Sequence, residues 1–304
     1  MGKWLTDPQT ILFAVKDGVA KITLNRPDKR NSLTQQLLEE MQAALIEADD
    51  LKEVRCVVLE AAGKDFCAGY DISSGGDYLP QGQIYGFDVE RYRGQASYDD
   101  DAWQLRMRSA PRLQIFDMFK PVIAKVHGNC LAGGTDIAFM CDMVIAADDA
   151  RIGYPATRAL GSPASNMWLY HVGPQWAKRM LFTGDTLRGS EAAKIGLVMK
   201  SVPANQLEAE VDYLARRIAN VEPDLLATHK RVINAGMELM GARTLQRFAG
   251  ENDARAHLSS AYSRFGAKVR AEGIKAALQE RDGPFGKNEA STAPESRQGQ
   301  EQEG

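Results

Sequence analysis

Two glycine-containing turns, each following a β-rich run, hold the residues of this chain best suited to chemistry. The first is Phe66-Cys67-Ala68-Gly69-Tyr70-Asp71, and the second runs His127-Gly128-Asn129-Cys130-Leu131-Ala132-Gly133-Gly134-Thr135-Asp136. Glycine lets the backbone come close to a ligand. A helix N-terminus directly behind the turn points free N–H groups at that ligand. Two such turns facing each other would polarise a carbonyl oxygen from two backbone donors, an oxyanion hole, and losing one such donor costs about 10²–10³ in rate. The same spacing also fits two tight turns that only connect elements. No His, Cys or carboxylate cluster has metal-ligand spacing, so no metal is expected.

The chain has 304 residues, against a prior of roughly 150 per domain. Lys and Arg number 37 and Asp and Glu 40, for a net charge of -3, so no global basic footprint for nucleic acid is present. Cys56, Cys67, Cys130 and Cys141 form no C-x-x-C pair and read as reduced core thiols. No apolar run nears about 18 residues, so no membrane span is expected. The expected location is cytoplasmic. Ile11 to Val15 and Val19 to Leu24, separated by Asp17-Gly18, read as a hairpin. Ser32 and Gln35 offer a capping box for a helix with Leu37, Leu38, Met41, Leu45 and Ile46 on one stripe. Val54 to Glu60, Pro121 to Val126 and Met143 to Ala147 read as strands, and Thr135 to Cys141 as a helix. This is the start of a layered α/β unit. Residues 1–205 form the core, and residues 73–119 are a lid-like insert within it, with Tyr78, Tyr85, Phe87, Tyr92 and Tyr98 along it and a helix from Ala102 to Phe119 at its end. The aromatics suit either an acyl pocket or an exposed insert. Residues 206–286 read as helices over 206–220, 223–240, 242–265 and 268–281, and the tail 287–304 is polar enough to be disordered.

Several motifs, in order and at family-like spacing, make the chain resemble the enoyl-CoA hydratase/isomerase, or crotonase, superfamily over residues 10–286. They are Leu24-Asn25-Arg26-Pro27 with Asn31-Ser32-Leu33, Phe66 to Ile72, and Gly128 to Asp142. Further along come Ala147-Asp148 with Ala150-Arg151-Ile152-Gly153, Leu181 to Gly184 with Ala192 to Val198, and Glu272-Gly273 with Glu280-Arg281 and Pro284-Phe285. The resemblance implies a spiral of ββα units with a C-terminal helical region that packs trimers, often paired into hexamers. It implies an acyl-CoA thioester as substrate and no separate cofactor, because coenzyme A arrives on the substrate. It places the oxyanion donors on the N–H groups of Tyr70 and Gly133. Arg26, Ala68, Asp71 and Ile72 fall along the nucleotide and pantetheine path.

The chain departs from the hydratases of that family at the acids. They carry two glutamates. The position of the first is Asp136, and that of the second is Ala156, after Gly153-Tyr154-Pro155. The further aspartate used by dienoyl-CoA isomerases falls on Ala164. Hydration needs a base for water and an acid for the α-carbon, and Asp reaches about 1.5 Å less far than Glu. Asp136 in the first turn of a helix suits a base better than an acid, or it only caps that helix. Asp71 reads as a turn cap. Asp99, Asp100 and Asp101 read as a solvated helix start, with a catalytic role as the sharper alternative. His127 reads as a bonded histidine behind its loop, and His171 as core or rim. Trp168 and Trp176 read as packing. The expectation is a hydratase-type lyase on a 2-enoyl-CoA. The alternatives are another crotonase reaction on a bulkier acyl-CoA, such as isomerisation, decarboxylation or C–C cleavage, and a non-catalytic acyl-CoA-binding protein.

Overall fold

The structure, a computed structural model, describes residues 2–72, 83–84, 87–88, 97–286 and 288–293. Tyr78, Tyr85 and Tyr92 of the insert, and the tail from 294, lie outside them. β1 (Ile11–Lys16) and β2 (Val19–Leu24) form the expected hairpin, in register from Ile11↔Leu24 to Lys16↔Val19. Asp17 and Gly18 both take left-handed backbone, at φ 51° and 76°, as a two-residue hairpin loop requires.

α1 (Gln35–Asp50) buries Leu37, Leu38, Met41, Ala44, Leu45 and Ala48 on one stripe. Its cap is Thr34, whose hydroxyl accepts the Leu37 N–H at 3.2 Å, and not the expected Ser32. Ser32 is drawn away because its hydroxyl lies 3.1 Å from Asp71 Oδ2 and its carbonyl accepts from Arg26. β3 (Cys56–Ala61) follows, its first four residues wholly buried, as a strand covered on both faces must be. In the insert, β4 (Gln83–Ile84) and β5 (Phe87–Asp88) pair antiparallel. The single helix expected to its C-terminal side is two, α2 (Tyr98–Met107) and α3 (Ala110–Asp117). Pro111 has no N–H to give and its ring would strike the carbonyl four residues back, so the chain breaks at Arg108-Ser109.

From there the chain repeats a pattern. β6 (Val122–Val126) joins a large sheet, β7 (Asn129–Leu131) a small one, and α4 (Gly133–Ala138) closes the turn. β8 (Met143–Ala147), β9 (Arg151–Gly153) and α5 (Trp168–Thr183) repeat it. β10 (Thr186–Arg188), α6 (Gly189–Lys194) and β11 (Lys200–Val202) finish it. The large sheet runs β1-β2-β3-β6-β8-β11, parallel after the hairpin, and the small one β10-β9-β7. This strand–strand–helix spiral is the α/β arrangement expected from the sequence. Cys56, Cys67, Cys130 and Cys141 are all buried free thiols within it.

The rest of the chain is helical: α7 (Leu207–Ala219), α8 (Pro223–Leu239), α9 (Ala242–His257), α10 (Ser260–Glu272) and α11 (Ile274–Asp282). The last three occupy the stretch expected to hold two. Ser259 caps α10 by accepting the Tyr262 N–H at 3.2 Å, and Gly273 breaks the chain again. The tail also enters the fold further than expected. Thr186 donates to the Asn288 carbonyl and accepts from the Ala290 N–H, both at 2.8 Å, and Ala290 is buried. The open edge of β10 offers unpaired backbone groups, and residues 288–290 take them. Among the described residues, no helix is long and apolar enough to cross a membrane.

Gly128 joins β6 to β7 at φ 56°, and a Cβ there would lie 1.9 Å from the Lys64 carbonyl oxygen. Backbone must move to admit it. Gly128→Ala is expected to lose at least about 2 kcal/mol, given the cost of left-handed backbone alone of ~1–2 kcal/mol. That corresponds to a melting temperature lower by about 4 °C or more, read by calorimetry. An unchanged melting temperature would show that this close approach is not a constraint.

Candidate active site

The two glycine turns lie side by side. Cys67 donates its N–H to the Asn129 carbonyl and accepts from the Leu131 N–H, both at 2.9 Å, a parallel bridge between segments far apart in the chain. Leu33 flanks the first turn, donating to the Gly69 carbonyl at 2.8 Å and accepting from Asp71 at 3.0 Å. Gly133 opens α4 against the Tyr70 ring, where a Cβ would come within 2.8 Å of Tyr70 Cε2 and Leu33 Cδ1. Ala132, just before it, is held at φ 47° and ψ -117°, a strained backbone worth about 1–3 kcal/mol. Among the described residues, neither the Tyr70 N–H nor the Gly133 N–H has an acceptor. The structure thus brings together the two backbone donors expected to form an oxyanion hole.

Asp136 sits three residues into α4 and is 1% exposed. It does not cap its own helix. Its Oδ1 accepts from the Ser165 N–H at 3.1 Å and the Ser165 hydroxyl at 2.9 Å. Tyr70 Oη lies 3.4 Å from Asp136 Oδ2 and accepts from Arg112 Nη1 at 3.0 Å. Burial pushes the Asp136 carboxyl above its ordinary value, with the charge of Arg112 and the Ser165 bonds pulling the other way. This corrects the expectation drawn from the helix dipole, because desolvation outweighs one turn of a six-residue helix. Burial likewise pushes the Tyr70 phenol up, partly offset by Arg112.

A cavity of about 790 Å³ opens beside this cluster, lined in part by Ala68, Tyr70, Asp71, Ile72, Arg112 and Ala156. Ala164 lines it too, so neither of the two positions left without an acid is compensated in place. Arg26 is not in the wall. It braces Asp71 from behind, its Nη2 donating to Asp71 Oδ2 at 3.0 Å. Tyr154 lines the cavity and donates to the Ser162 carbonyl at 3.0 Å. Arg158 is locked by Asp185 at 3.2 Å and Asp282 at 3.0 Å. His127 bonds the Gly63 carbonyl at 2.9 Å and His171 the Phe139 carbonyl at 3.1 Å, both away from the cavity. Trp168 packs edge-on against Phe139 and Trp176 against the core.

The far wall comes from α9, which contributes Asp253 and His257. Behind them stands Asp101 of α2. It was expected at a solvated helix start but is 6% exposed, with Oδ2 2.6 Å from His257 Nδ1. Asp99 remains exposed. The sequence reading missed Arg112, Asp253 and His257. Only the i,i+4 spacing of the last two signalled a shared face.

A strand–strand–helix spiral with two open N–H donors beside a buried acid defines a crotonase-type fold and site. Residues 14–287 match the family model described as enoyl-CoA hydratase/isomerase. A short-chain-enoyl-CoA hydratase of Clostridium acetobutylicum is 34% identical over 231 residues, 73% of this chain and 80% of that one. The crystal structure of an enoyl-CoA hydratase from Mycobacterium smegmatis matches with a TM-score of 0.83 at 33% identity, covering 92% of this chain and 95% of that chain. An enoyl-CoA hydratase/isomerase from Xanthobacter autotrophicus matches at 0.82 and 32% identity, covering 91% and 98%. The chain belongs to the enoyl-CoA hydratase/isomerase family.

Burial pushes the Asp253 carboxyl up to about 6, with the charge of His257 and the bond from Ser162 opposing it. Its folded value lies above the unfolded value of about 3.9. Its contribution therefore favours the folded state below about pH 4 and is lost as pH rises through 6. Asp253→Asn keeps an acceptor for the Ser162 N–H and removes the titration. Its melting temperature relative to wild type is expected to climb between pH 4 and 7. A difference that stays constant with pH would count against a raised Asp253.

Proposed function

We propose that this chain reversibly adds water across the double bond of a 2-enoyl-CoA thioester. The observation that carries this reading is the pair of open N–H groups, Tyr70 and Gly133, beside the buried Asp136. A thioester oxygen placed between the two donors accepts charge as a nucleophile attacks C3. Fixed donors stabilise that charge without reorganising. Asp136, buried and holding its proton more tightly than an ordinary carboxyl, is the group that protonates C2. Ala68, Asp71 and Ile72 line the path of the pantetheine and nucleotide, with Arg26 fixing Asp71. Lys29, Arg30 and Lys275 supply exposed positive charge at the cavity for phosphates. The coenzyme A belongs to the substrate, and no further cofactor is invoked.

The helical region is proposed to assemble the chain as a homotrimer or a dimer of trimers. It exposes Ile233, Leu239, Met240 and Phe248 on α8, α9 and their junction, with Leu239 91% exposed. Large apolar side chains exposed in this number on two successive helices suit an interaction site. Light scattering after gel filtration is expected to give three or six times the chain mass, and a monomer at micromolar concentration would remove the proposal.

The vacant positions at Ala156 and Ala164 favour a second reading, another crotonase reaction on a bulkier acyl-CoA. One assay separates the two. Short, long and aromatic 2-enoyl-CoA thioesters are incubated with wild type and Asp136→Asn and read by mass spectrometry. A gain of one water in wild type is expected, slowed about 10²-fold or more in the variant. A rearranged or smaller product supports the second reading. Bound but unchanged thioester throughout supports an acyl-CoA carrier and overturns both.

A further inference from the structure

Hydration moves two protons, one off water and one onto C2, and of the two acid positions compared in the sequence only Asp136 bears a carboxyl, the other being Ala156. The α9 wall of the same cavity holds a second titratable group. The 2.6 Å contact of His257 Nδ1 with the buried Asp101 Oδ2 ties α9 to α2. Asp101 Oδ1 is buried with no hydrogen-bond partner among the described residues, so the carboxylate is directed to the imidazole. On the other side, His257 Nε2 lies 3.9 Å from Asp253 Oδ1, and the ring stacks on Tyr262 with centroids 4.6 Å apart. One loop braces Asp136, which lies behind Tyr70 beside the cavity, and Asp253, which lies in its wall: Ser165 bonds Asp136, and Ser162 donates to Asp253 Oδ1 at 2.7 Å. Arg108 and Arg112 are the cations of the adjoining wall. A buried carboxylate on Nδ1 holds the imidazole proton there and leaves Nε2 as the basic atom.

We propose that His257, positioned by Asp101, is the second proton-transfer group of this site and fills the role left open at Ala156. The inference rests on the hydratase reading above. The oxygen of water bonds to C3 as its proton passes to His257 Nε2. The electron pair of the double bond moves to C2 and the thioester oxygen. C2 then takes the proton of Asp136. One water has been added, and the proton gained by His257 returns to Asp136 through the solvent of the cavity. Elimination runs the same steps backwards.

The test compares wild type, His257→Ala, His257→Gln and Asp101→Asn on whichever 2-enoyl-CoA wild type hydrates. His257→Ala is expected to lower kcat by about 10²–10⁴-fold with KM changed by no more than a few fold. Added imidazole restores part of that rate in His257→Ala and none in Asp136→Asn. Asp101→Asn lowers kcat without lowering thioester affinity. A folded His257→Ala or His257→Gln with wild-type kcat overturns the inference. So does a loss in His257→Ala that imidazole leaves untouched while KM rises with it. Should His257→Ala fail to fold, His257→Gln, which retains a donor for Asp101, carries the kcat comparison alone. Wild type that hydrates no thioester fails the underlying reading and takes this inference with it, whereas the other results bear on His257 only.

Discussion

Cys67 exchanges two backbone hydrogen bonds with Asn129 and Leu131, and the geometry of the site follows from that exchange. Two N–H groups can act on one oxygen only if both lie about 3 Å from it. The bridge sets that approach, and it can form only where side chains do not intervene. Gly133 meets this condition against the ring of Tyr70, and Gly128 against the backbone of Lys64. The side chains beneath the bridge, Phe66, Cys67, Cys130 and Ile137, are fully buried. A close-packed support of this kind gives little room for the donors to drift.

The same burial decides the character of the acid. A helix N-terminus lowers the proton affinity of a carboxyl, and removal from water raises it. Asp136 sits where both act, and removal from water prevails. The bonds from Ser165 and the charge of Arg112 temper that rise. Arg112 reaches the acid through Tyr70 Oη, so a cation of α3 and a phenol of the first turn share the environment of a carboxyl on α4. In a low-dielectric interior such linked groups act as one unit.

The helical region serves the spiral as a wall. α9, α10 and α11 bring Asp253, His257, Tyr262, Ile274, Lys275 and Leu278 to the cavity. A small apolar cluster of Phe265 and Ala277, with Ile72 and Leu160 packed on it, docks these helices against the first turn and the loop after Ala156. Val232, Ile233 and Leu239 of α8 and Phe248 of α9 are exposed and do not line the cavity.

Much of this was legible in the sequence. Alternating and buried runs located the hairpin and the large-sheet strands, because side-chain period reports which face is covered. The glycine turns could be read from residue type and spacing, since close backbone approach demands glycine, while the place of Asp136 came from the family resemblance. What spacing does not contain is which distant surfaces meet. Ser32 matched a helix cap, yet Asp71 and Arg26 claimed it. Asp101 looked solvated in a run of three acids until α9 covered it. The sequence alone pointed to the spiral and, through its family resemblance, to Tyr70, Gly133 and Asp136. The tertiary structure raised the proton affinity of Asp136 and brought Asp253 and His257, backed by Asp101, to the cavity beside it, because desolvation and long-range packing exist only once the chain has closed on itself.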